Sequence, residues 1–81
     1  MPRHTHRFVE DYDGLVGFGL DRTTDENTVR CYLQKFSDDA VTAAILQRLD
    51  ATELTEIFDL ISRLLRRHFS EDEYHRLFLK D

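Results

Sequence analysis

The chain carries four histidines and one cysteine, so metal binding and thiol chemistry come first. His4-Thr5-His6 would set two imidazoles on one side of an extended segment. Zinc needs three or four ligands converging at about 2 Å. The other donors, Cys31, His68 and His75, lie far along the chain, and the pair sits in a polar start, residues 1–7, expected to be loose. Exposed histidines with no metal or other cofactor are therefore expected. His68 falls within the apolar arc of a helix, and a packed imidazole satisfied by a carbonyl is expected there. Cys31 lies opposite Val29, Leu33 and Phe36 on its helix, too far in for activation by the helix N-terminus. A surface or second-layer thiol is expected, not a nucleophile.

Acids cluster at Glu10, Asp11 and Asp13, at Asp38-Asp39 and at Glu71-Asp72-Glu73. The first group lacks the alternating donors and distant closing Glu of a calcium loop. The other two sit where helices begin, so capping and solvation account for them. Gly14, Gly17 and Gly19 form GLVGFG. A dinucleotide site needs a helix directly after such a run, whereas Leu-Asp-Arg-Thr-Thr follows here. Phe18, between two glycines, is either an anchor for a partner or a plug into the protein, and the plug is expected. No catalytic residue is assigned, and the chain is read as no enzyme.

Arg63, Arg66 and Arg67, with Arg76 nearby, are the one basic concentration. Phosphate or an acidic partner would suit them, and the helix order invites comparison with a helix-turn-helix. The helix that would read bases begins with Asp50, Glu53 and Glu56, and the chain carries a formal charge of −5. Both features work against nucleic acid, whose binding is largely electrostatic.

The elements that position these residues follow from spacing and caps. Leu54, Ile57, Phe58, Ile61, Leu64 and Leu65 recur at helical spacing, and Leu60 and Phe69 widen the face to about half the cylinder at roughly 100° per residue. Asp50 with Glu53 forms a capping box, and acids precede arginines along the helix as its dipole favours. Asp59 and Arg63 are an i, i+4 pair. Such a wide face predicts a central helix contacting several neighbours. Thr23 with Glu26 predicts a helix over 24–36 burying Val29, Tyr32, Leu33 and Phe36. Ser37 is expected to cap a helix over 38–48, and Ser70 with Glu73 to open a final short one presenting Tyr74, Leu77 and Phe78. Residues 8–20 fit either a hairpin at Asp13-Gly14 or a short helix followed by an extended turn at Gly17-Phe18-Gly19. The short helix is the expected form.

With 81 residues, one domain is expected: an all-α, compact bundle of about four helices, with an irregular or hairpin-like N-terminal segment over 8–22 and a helical core over 23–81. A lone cysteine and no long apolar run point to a small acidic protein of the cytoplasm, with no membrane contact. A non-catalytic protein–protein interaction or regulatory module is the expected function, with a homodimer as one form. Its candidate contacts are Phe18, Leu46, Leu60, Arg63, Arg66, Arg67, His68 and Leu79. The alternatives are a nucleic-acid-binding domain using the three arginines and a small metal- or thiol-dependent protein.

Overall fold

Side-chain caps and helical spacing dominate this chain, and the computed structural model, which describes residues 4–81, is all-α. The expected looseness of residues 1–3 lies outside the described residues. Helix α1 is Phe8–Asp11, α2 is Arg22–Phe36 and α3 is Asp39–Ile45, followed by a 3-10 turn at Leu46–Arg48. Helix α4 is Ala51–His68, and α5, Glu71–Glu73, runs on as π-helical turns over Tyr74–Leu79. The described residues divide into two compact units, Thr5–Ile45, and Leu46–Asp81 together with His4.

In the first unit, residues 8–20 form the short helix and not the hairpin. Phe8 and Tyr12 stack at 5.0 Å between centroids, and the Tyr12 hydroxyl donates to the Leu15 carbonyl at 2.8 Å. That ring lies over Gly14, where a Cβ would sit 2.5 Å from the Tyr12 oxygen. Gly19 has φ +94, a conformation open to glycine at little cost.

This N-terminal strap runs antiparallel to α2 and is tied to Asp25, Thr28 and Gln34 of it and to Ser37 at its end. His6 Nε2 hydrogen-bonds Ser37 Oγ at 2.8 Å, and the Val9 N–H donates to Gln34 Oε1 at 2.8 Å. The Gly17 N–H donates to Thr28 Oγ1 while the Thr28 hydroxyl donates to the Gly17 carbonyl, both at 2.9 Å. The Gly19 N–H donates to Asp25 Oδ1 at 2.8 Å. The Arg30 guanidinium lies 4.3 Å from the centre of the Phe8 ring, a cation–π contact.

The strap reverses the expected orientation of α2. Thr28 and Cys31 are the buried residues, at 5% and 4% exposure, whereas Val29, Tyr32, Leu33 and Phe36 are exposed. Helical spacing identifies an apolar face but not what covers it; here directional hydrogen bonds hold the strap on the polar side. Cys31 is opposite the apolar face as expected but lies beneath the strap, not at the surface.

Two caps also differ. Asp21, in extended conformation, accepts from the Thr24 N–H at 2.8 Å, so α2 starts before the Thr23–Glu26 box and Glu26 pairs with Arg22 instead. Asp38, not Ser37, accepts from the first free amides of α3, at 3.0 and 3.4 Å. Ser37 ends α2, its hydroxyl donating to the Gln34 carbonyl.

In the second unit, both capping boxes are complete. Asp50 accepts from the Glu53 N–H at 2.8 Å and Glu53 from the Asp50 N–H at 3.0 Å. Ser70 and Glu73 repeat this at 3.2 and 2.9 Å. Tyr74 and Phe78 stack at 5.4 Å, as four-residue spacing allows in the wider π turns. Lys80, at φ 64, ends the helix in the left-handed region, and the Asp81 N–H reaches the His75 carbonyl at 3.2 Å. Against the expectation of a packed centre, α4 makes no extensive contact with another helix of its unit.

Two measurements check this local structure. Thr28→Val keeps side-chain volume but strips Gly17 of a donor and an acceptor, so a loss of about 1–2 kcal/mol and faster exchange of the Gly17 amide are expected. Asp50→Ala removes the cap acceptor of α4 and should cost about 1 kcal/mol in thermal unfolding followed by circular dichroism.

Candidate functional site

Helix α4 places three of the candidate residues, Leu60, Arg67 and His68, on or beside one apolar surface, with Arg63 further round toward the side of Asp59. Eighteen residues at about 1.5 Å rise make a helix roughly 27 Å long. Leu54, Phe58, Ile61 and Leu64 are exposed, Phe58 to 70%, while Ile57 and Leu65 are half-buried. Leu60 borders this face at 46% exposure. His68 is also exposed, with no hydrogen bond among the described residues, so the packed, carbonyl-bound imidazole is not what forms.

The charges of α4 flank the apolar face in an ordered way. Glu53 and Glu56 lie toward its start, and Arg63 and Arg67 toward its end on the same side as Leu60. Asp59 projects from the outer face, while Arg66 lines a hollow with Ser62, Leu65, Phe69 and Tyr74. Among the described residues, ion pairs join Arg22 with Glu26 and Arg76 with Asp72, and the His75 imidazole contacts the Asp81 carboxylate. None involves Arg63, Arg66 or Arg67, and the expected Asp59–Arg63 pair does not form. Long exposed side chains lose entropy on pairing, which cancels most of the Coulomb gain.

A second apolar surface lies in the first unit. Val29, Tyr32, Leu33 and Phe36 line a groove of about 430 Å³ on α2, with Phe18 at its rim. Phe18 is 73% exposed and is not a plug. Leu46, in the 3-10 turn, and Leu79, at the end of the π turns, are exposed and belong to neither surface.

The other chemical groups do not converge. Among the described residues, no three of the His, Cys, Asp and Glu side chains are arranged to hold a metal. His6 is tied to Ser37, and His75 Nδ1 lies 3.1 Å from Asp81. The carboxylates with shifted acidity are caps: the Thr24 N–H and hydroxyl hold Asp21 below its ordinary value, and the Ser70 N–H does the same for Glu73. Arg22 is raised by its bond to Glu26. The strap on α2 escaped the spacing analysis, although its signal is there: Asp25, Thr28, Cys31, Gln34 and Ser37 form a polar or small row at three-residue steps.

Comparison with protein-family models, with curated proteins and with solved structures finds no match to this chain. Among the described residues no helix is long and apolar enough to cross a membrane.

The shifted caps give a pH dependence of known sign. Both carboxylates are depressed, so the stability they contribute is full above the ordinary carboxylate range and is lost as pH falls through their folded values. On acidification the Thr24 amide resonance should move with a midpoint below that of an unperturbed Asp. Asp21→Asn, which still caps, should abolish that step.

Proposed function

We propose that the chain is a non-catalytic protein–protein interaction module whose contact surface is the apolar face of α4. The observation that carries this reading is the exposure of Leu54, Phe58, Ile61 and Leu64 along one helix face. Folded proteins seldom leave so contiguous an apolar patch in water unless a partner covers it. Glu53 and Arg67, at the edge of this face, suit the charged rim of a protein interface, where they orient the partner. The lone cysteine, with no second thiol to pair, suits a reducing compartment such as the cytoplasm.

A photo-crosslinking amino acid at Ile61 of the full chain tests the reading, with Asp59 on the outer face as control. Protein adducts at Ile61, in several-fold excess over Asp59, are expected in cells expressing the protein. Adducts absent from both positions, or equal at both, would overturn the assignment.

A further inference from the structure

We propose that the partner on α4 is a second copy of this chain, packed antiparallel about a two-fold axis near Leu60. The inference rests on the reading of α4 as a contact surface, and the order of charges along its edge carries it. Glu53, Leu60 and Arg67 are spaced by seven residues, so they form one row beside the apolar face. Glu53 and Arg67 are equally far from Leu60, on opposite sides of it. In an antiparallel pair this edge meets the same edge of the other copy, with the order reversed. Glu53 then faces Arg67 of the second copy, Arg67 faces its Glu53, and Leu60 meets Leu60 at the axis.

The apolar residues fit the same axis. Leu54, Ile61 and His68 form one seven-residue row, and Ile57 and Leu64 form the adjacent one. Antiparallel pairing sets Leu54 beside Leu64 of the second copy and Ile57 beside its Ile61. His68 arrives at the capping carboxylate, Asp50, of the second copy. Leu60, too far round for the centre of the face, and His68, polar within an apolar row, both acquire partners. A parallel pair would instead set this edge against Ala51, Phe58 and Leu65 of the second copy, so neither Glu53 nor Arg67 would gain an opposite charge. No arginine of α4 forms an ion pair among the described residues, so Arg67 is not already committed there.

Charge reversal in the full chain tests both partner and orientation. Sedimentation should give the wild-type chain a mass of twice 9.6 kDa at micromolar concentration. Arg67→Glu and Glu53→Arg each place two like-charge contacts in the pair and should weaken self-association about tenfold. Mixing the two variants restores both attractive contacts, so a heterodimer approaching wild-type affinity is expected. Glu53 also caps α4; Glu53→Gln keeps a cap acceptor and should weaken association less than Glu53→Arg. A wild-type chain that stays monomeric, or single reversals without effect, or a mixture that fails to re-form the pair, would overturn the proposal. A monomer that still gives adducts at Ile61 to another protein, or that shields the face within one chain, overturns only the second-copy assignment. Loss of the adducts removes the interaction reading itself.

Discussion

The reciprocal pair of hydrogen bonds between Thr28 and Gly17 fixes more of the first unit than any apolar contact does. A strap of irregular chain has backbone groups that need partners wherever water is excluded. Helix α2 supplies them from Asp25, Thr28 and Gln34, which lie three and six residues apart. Because one row of α2 is committed to this task, the opposite face, with Val29, Leu33 and Phe36, is left open. The buried positions of the unit are accordingly a hydroxyl and a thiol. Hydrogen bonding sets its geometry, and each bond contributes only about 1 kcal/mol net.

Such a molecule has an unusual balance of forces. Small domains already bury a modest fraction of their apolar surface, and here the best apolar stripe, on α4, lies outside the interior of its own unit. Under the proposed association, burial at about 25 cal/mol per Å² would be realised on binding and not on folding alone. Stability would depend on partner concentration, since anything that binds only the folded chain stabilises it by mass action. The capping boxes at Asp50 and Ser70 hold the ends of their helices without help from packing, which suits elements awaiting a partner.

The legible and illegible parts of the fold divide by range. Local chemistry was readable where Asp50 with Glu53 and Ser70 with Glu73 form the boxes their spacing implies, whereas residues 8–20 fitted a hairpin and a short helix alike, and only the structure decides for the helix at Phe8–Asp11. Competition between neighbouring caps was harder, because Asp21 and Thr23 are both good acceptors and the extended backbone of Asp21 decides between them. What covers each face could not be read, since apolar spacing says nothing of the neighbour. Phe18 and His68 were both expected inside on apolar grounds and both lie outside. For the candidate surface, spacing placed Leu60, Arg63 and Arg67 on one helix, while their exposure and lack of intrachain partners needed the structure.

The acid-to-base order along α4 has two explanations that make different demands. The helix dipole favours acids near the start and arginines near the end on any face, and its influence fades within the first and last turns. Glu56 and Arg63 lie inside those turns, where the dipole has little hold. Arg66 satisfies the dipole from outside this row, and Glu53 is engaged by the cap. The alignment of Glu53, Leu60 and Arg67 in one row is what the dipole leaves unexplained. A two-fold antiparallel contact requires just this: opposite charges at equal distances from an uncharged centre, on a single edge. The dipole and the interface are compatible, because a sequence ordered by the first is already half-way to the self-complementarity needed by the second.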